Sequence, residues 1–303
     1  MDVSWPVKNL SHKKLIGIPL ILAAFFGAMV AINWNTEGSP VPLGLDFQGG
    51  SFIRVENIQT PNNIQVNQFQ SDFLERSSVS DADVRSVESG LQIETSEAYL
   101  DNQAVADFKN WISEELSEIG VSGNPVVNID AMGSAITDIY QSQARNAAIA
   151  AVIVMAIILF ISLRRYTVVG SILLVIGMDF LGILGGMSLL GIELTRASMA
   201  GILLIFGYAV NTNILLSTNI IKRKGGTDRD RAGRAMSTGM KMSSTSAAAM
   251  IILNLATTAP ELNQISAVIA IGILIDMVNT WLLNSGLIIR HQESEEDKYH
   301  ARI

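Results

Sequence analysis

Two carboxylates stand where a carboxylate is costly. Asp179 and Asp276 each lie near the middle of a long apolar stretch, residues 168–190 and 265–289. At mid-bilayer such a group costs about 2.5 to 3.5 kcal/mol on insertion scales, so it normally faces a protein interior and carries a function. On a helix Asp276 shares a face with Asn279 and Thr280, three and four positions on. The stretch 200–221 adds Asn211, Thr212 and Asn213 at mid-depth, and the stretch 242–259 opens with Ser243, Ser244, Thr245 and Ser246 beside Lys241. If these helices pack together, their polar faces converge on one buried site. Its chemistry is then either proton carriage by the carboxyl groups or hydrogen bonding that locks helices, and both readings stand for Asp179 and for Asp276. Asn211, Thr212 and Asn213 cannot titrate near neutral pH. Amides in membranes commonly act as packing glue worth about 0.6 to 2 kcal/mol, and Lys241 is placed to snorkel to an interface.

The elements that must position these residues follow from charge depletion. Only 16% of the 303 residues are charged, against roughly 25% in an ordinary soluble protein. Six stretches, 15–32, 146–163, 168–190, 200–221, 242–259 and 265–289, contain no charged side chain except Asp179 and Asp276. About 20 helical residues cross a hydrocarbon core, so each is long enough to span. Gly182 and Gly186 make a small-xxx-small pair on the third, the mark of a close helix contact. Lys and Arg favour the cytoplasmic side. With the N-terminus inside, 15 of the 21 basic residues fall on the inner segments, seven of them in a connecting loop at 222–241. The expected layout is a cytoplasmic N-terminus (1–14), helix 1 (15–33), an external domain (34–143), helices 2 to 6 (144–290) and a cytoplasmic tail (291–303). A cleaved signal peptide at helix 1 is the alternative, and would leave five spans.

Residues 34–143 are soluble in character and acidic, with 17 Asp plus Glu against four basic residues. Ser51 to Glu56 reads as a strand, Val66, Phe69 and Phe73 as a helix face, Val84 to Val87 and Leu91 to Ile93 as a hairpin around Glu88-Ser89-Gly90. A second helix carries Val105, Phe108, Ile112, Leu116 and Ile119, and Val126 to Ile129 forms a last strand. That order, strand-helix-strand-strand-helix-strand, is a ferredoxin-like split βαβ sandwich. The fold class is thus an α-helical polytopic membrane protein of six transmembrane helices with one α+β external domain. A net charge of −7 argues against nucleic-acid binding. The absence of cysteine excludes disulfides, thiolate metal sites and a cysteine nucleophile. No hydrolase or metalloprotease motif is present and the histidines, His12, His291 and His300, sit at the cytoplasmic ends, so no enzyme, cofactor or metal is expected.

At the entrance to the external domain, Leu43-Gly44-Leu45-Asp46-Phe47-Gln48-Gly49-Gly50 resembles an element of the SecD/SecF family of protein-export membrane proteins. Gly207 to Leu216 is similar to the fourth-span signature of the SecF branch, and Asp276 to Asn284 to its last span in archaeal members. Lys222-Arg223-Lys224-Gly225 also looks archaeal. The resemblance covers essentially the whole chain. It implies an RND-like helix bundle in the cytoplasmic membrane, partnership with SecD beside a SecY-type translocon (SecYE), contact with unfolded preprotein segments and with lipid, and coupling to the proton-motive force. In the family, fourth-span acidic residues are thought to relay protons. Here the positions expected to be acidic read Asn211 and Asn213, with Thr212 between them. A relay would rest on Asp179 and Asp276, with Asn279 in the network, or on a partner's carboxylates. A passive scaffold and a small RND-like permease are the rival readings. For Asp46, Gly49 and Gly50 the residues allow a turn with positive-φ or close-approach glycines, or a partner contact.

Overall fold

The computed structural model describes residues 4–77, 82–87, 90–95 and 102–300, which form two compact units, Leu43–Gln143 and the remainder. In the smaller unit, β1 (Gly50–Ile58), β2 (Ala82–Val87), β3 (Gly90–Thr95) and β4 (Gly123–Met132) make one antiparallel sheet in the order β2-β3-β1-β4. Ile53 of β1 stands between Ile93 of β3 and Ile129 of β4. Alternate residues Ile53, Val55, Leu91 and Ile93 are buried with Phe69 and Phe73 of α4 (Asn63–Ser77) and Phe108, Trp111, Ile112 and Leu116 of α5 (Asn102–Glu118). The aromatic rings interlock, with Phe69–Trp111 and Phe73–Phe108 centroids 5.7 and 5.5 Å apart. The strands run longer than local alternation suggests, because pairing carries β1 and β4 together from Gly50 and Met132 to the far end of the ladder. Glu88 and Ser89 of the expected hairpin turn lie outside the described residues.

The entrance element forms a single turn, α3 (Leu45–Gln48), with Asp46 in it. Gly49 and Gly50 then take φ of 81° and 102°, open only to residues without a Cβ penalty. A Cβ on Gly49 would lie 3.2 Å from Thr137 Oγ1, and Gln141 Nε2 donates to the Phe47 carbonyl at 2.7 Å. Thr137 and Gln141 belong to α6 (Ser134–Leu163), so the turn is fastened to that helix's first three turns.

The larger unit is helical. Besides α6 it holds α1 (Trp5–Asn9), α2 (His12–Glu37), α7 (Tyr166–Leu190), α8 (Arg196–Lys222), α9 (Asp228–Ala256) and α10 (Pro260–Val278). A π-helical turn (Asn279–Asn284) continues α10 without a break into α11 (Ser285–His300). Local chemistry sets the ends. Thr195 and Ser198 form a reciprocal capping box on α8, as Thr227 and Asp230 do on α9. Gly38 and Gly191 close α2 and α7 in the left-handed conformation.

Among the described residues, five helical segments are long and apolar enough to cross a membrane: α2, α6, α7, α8 and Pro260–Ser294. Half or more of the apolar stretch of α7, α8 and the last segment is buried, against 17% for α2 and α6. Gly182 and Gly186 bring α7 against α10: a Cβ there would fall 2.8 and 2.7 Å from Cγ2 of Ile275 and Ile271. Two sequence expectations change. The expected loop 222–241 is helical from Asp228 onward, because the Thr227–Asp230 box starts a helix in a run without Pro. The expected tail is helix as far as His300, since no Gly or Pro follows Gly286 to stop it. Arg229 Nη1 donates to the Val7 and Leu10 carbonyls at 3.1 and 2.7 Å, tying α1 to α9.

Candidate functional site

Where α7, α8 and the α10–π segment meet, buried polar side chains gather inside an apolar bundle. Asp179 and Asp276 are both 0% exposed. Asp276 accepts from Thr280 Oγ1 at 2.7 Å, one helical turn on, and from Thr212 Oγ1 of α8 at 3.0 Å. Asn279 Nδ2 donates to Asp179 Oδ1 at 2.8 Å, linking the last segment to α7. Asn213 Nδ2 donates to the Ala209 carbonyl at 2.7 Å, and its Oδ1 accepts from Asn284 Nδ2 at 2.5 Å. Ser171 Oγ of α7 donates to Asn284 Oδ1 at 3.1 Å.

Of the residues singled out from sequence, Asp179, Thr212, Asn213, Asp276 and Asn279 are brought together. Asn211 is not. It is exposed and lines a cavity of about 430 Å³ between α8 and α9, with Tyr208, Thr212 and Gly239. Thr212 therefore stands between this cavity and Asp276. Tyr208 donates to Ser243 Oγ at 2.9 Å, so the serine run on α9 meets α8 rather than the carboxylates. Lys241 is exposed. Asp46, Gly49 and Gly50 belong to the smaller unit.

Asn284 and Ser171 are members that sequence reasoning missed. An unbroken α-helix turning about 100° per residue would leave Asn284 roughly 80° round from Asp276 after eight residues. The π turn spends an extra residue per turn and brings Asn284 back to the Asp276 face. The extra width also seats Trp281, fully buried, over Gly239, where a Cβ would come within 2.0 Å of the indole.

Asp179 Oδ2 and Asn279 Oδ1 are buried with no hydrogen-bond partner among the described residues. A buried acceptor without a partner is costly, so each favours a proton or donor beside it. The arrangement thus has the parts needed to hold a proton: two carboxyls, neighbouring hydroxyl and amide donors, and an unfilled acceptor.

The family profile described as "Protein export membrane protein SecD/SecF, C-terminal" matches residues 113–294, a span holding every member of this cluster. The chain belongs to the SecD/SecF family. Among its SecF relatives, the protein-export membrane protein SecF of Methanolacinia petrolearia is 28% identical over 288 residues, covering 94% of this chain and 95% of the relative. That of Methanothermobacter thermautotrophicus is 31% identical over 284 residues, covering 92% of each. The fold is similar to that of SecDF, a translocon-associated membrane protein from Thermus, with a TM-score of 0.71 at 19% identity. That comparison covers 97% of this chain and 39% of the SecDF chain, so this chain spans about two fifths of SecDF's length.

Proposed function

We propose that this chain is the SecF-type accessory subunit of a Sec translocase, acting with SecD beside a SecYE channel to promote preprotein export across the cytoplasmic membrane, with proton movement through its buried carboxyls as the coupling. The reading includes six spans. α9 has 29 residues, and its second half turns Ile252 and Leu255 outward at 66% and 81% exposure, as a lipid-facing helix does. It also includes a ferredoxin-like external domain, supported by the order β2-β3-β1-β4, and cytoplasmic termini, supported by the basic-residue bias.

The observation that carries the proposal is the burial of Asp179 and Asp276 at the junction of three helices, each bonded across a helix boundary. Adding or removing a proton on Asp276 changes what Thr212 and Thr280 must donate to, and so changes the tie between α8 and the last segment. Asp276→Asn keeps size and polarity but cannot titrate. In cells that rely on this chain and its SecD partner, we expect it to lower preprotein export while the complex still assembles. Export at the wild-type level would end the proton reading. The scaffold reading has one observation in its favour: both oxygens of Asp276 already have donors within the chain. It predicts no pH-dependent infrared signal from Asp179 or Asp276 in the folded complex.

A further inference from the structure

We infer that Asn284 is a positioning residue: it sets the direction of a hydrogen-bond chain that decides whether Thr212 donates to Asp276. The inference rests on the reading of Asp276 as the working carboxyl. It starts from a competition. The Thr212 hydroxyl has one proton and two acceptors at hand, the Ala209 carbonyl at 3.0 Å and Asp276 Oδ2 at 3.0 Å. Back-bonding to its own helix is the ordinary use of a helical threonine. A carbonyl oxygen has two lone pairs, and within α8 the Ala209 carbonyl faces both the backbone N–H four residues on and Asn213 Nδ2, the latter at 2.7 Å, which leaves the Thr212 proton to the carboxylate.

What keeps Asn213 in that orientation lies two steps away. Ser171 donates to Asn284 Oδ1, so Asn284 must turn its Nδ2 to Asn213 Oδ1, and Asn213 must turn its own Nδ2 to Ala209. Every link has a donor and an acceptor. The reverse direction lacks a proton at one link: with both amides flipped, Asn213 Oδ1 would face the Ala209 carbonyl oxygen across the 2.7 Å that Nδ2 now spans, acceptor against acceptor. The chain therefore has one favoured direction. Without the Asn284 amide, nothing on that side holds Asn213 Oδ1, its Nδ2 can leave Ala209, Thr212 returns to its own helix and Asp276 loses that donor. Asn213 and Asn284 are 0% exposed, so no solvent replaces a lost link. The chain of bonds runs from α7 to the carboxyl, and Asn284, placed by the π turn, is its pivot.

The test reads the stretching bands of Asp276 by infrared spectroscopy on the full chain in lipid vesicles, the bands being assigned by their loss in Asp276→Asn. Thr212→Val defines the shift caused by losing the donor. Asn284→Leu is expected to shift the bands in the same direction by a similar amount, with no further shift in the double variant. Ser171→Ala, a small truncation at a half-buried position, gives a smaller shift of the same sign and keeps the test open if Asn284→Leu does not fold. Bands at the wild-type position in Asn284→Leu or Ser171→Ala, or shifts that add in the double variant, overturn the inference. Whether the bands titrate with pH is a separate outcome: failure to titrate sinks proton coupling, whereas the band positions still report on Asn284.

Discussion

Three consecutive polar residues on one helix cannot all face one way, and Asn211, Thr212 and Asn213 show the consequence. Successive side chains are about 100° apart, so Thr212 and Asn213 reach the cluster while Asn211 is left on the cavity side. The buried carboxyls were readable because a charged group in an apolar stretch has few places to go. Asn279 and Thr280 were readable because three- and four-residue spacing puts them beside Asp276. Asn284 was not, since the regular helical period points it elsewhere and nothing in the residue types announces a π turn. The Gly239–Trp281 contact is invisible in sequence for the same reason, and it makes a sharp prediction. Gly239→Ala places a methyl 2.0 Å from the indole, and overpacking of this kind costs about 1 to 3 kcal/mol. Thermal unfolding in detergent should show a lowered Tm for this variant, and an unchanged Tm would mean the ring has room to move.

Helix against helix, small residues decide the spacing. Gly182 and Gly186 were read correctly as a contact, against Ile275 and Ile271, because the four-residue interval of small side chains marks a face. Gly185, outside that interval, makes the tighter approach: a Cβ there would lie 2.6 Å from the Phe26 carbonyl of α2, which is backbone and cannot step aside. Gly185→Ala should therefore push α2 off α7 and be more destabilising than Gly182→Ala, whose obstacle is a flexible isoleucine; comparing the two melting temperatures checks this. In the smaller unit, burial, aided by the neighbouring Asp72, raises the pKa of Glu115 on α5 above its ordinary 4.5. The folded state then holds the Glu115 proton more tightly than the unfolded chain, so stability falls as pH rises from about the ordinary value through the raised one. Glu115→Gln should slow hydrogen exchange of α4 and α5 at neutral pH and make no difference near pH 4. Equal exchange at neutral pH would show the charge to be fully solvated. The strands and helices of this unit were largely apparent from alternation and helical spacing, whereas α9 was read as loop plus span because its first half is too polar to look like part of one helix.

For the molecule as a whole, two units with different solvents are joined in one chain. The smaller has a core of its own, in which aromatic rings from α4 and α5 cover one face of the sheet. The larger exposes apolar side chains such as Ile21 and Ile153, at 73% and 54%, in the manner of a lipid-facing surface. The sequence has no cysteine, so any introduced thiol is unique. A cysteine at Ile64, which is 77% exposed on α4, should react with a membrane-impermeant maleimide added outside intact cells, and one at Gly226, between α8 and α9, only after the membrane is opened. The opposite pattern would invert the proposed orientation while leaving the fold untouched.

The π turn at Asn279–Asn284 holds the spare residue that aims Asn284 and seats Trp281. Loss of a single codon between those positions would let the backbone relax into ordinary winding, with the rod around it shortened by only about 1.5 Å. Such a deletion is far gentler on insertion than a charged substitution, and it would leave Asn284 and everything beyond it on the face they occupy now, because seven residues at about 100° each return to within about 20° of Asp276. Heredity thus has a one-codon lever on the turn alone, and a gene carrying that deletion would build a bundle of nearly the same length and facing, changed only where the indole is seated against α9.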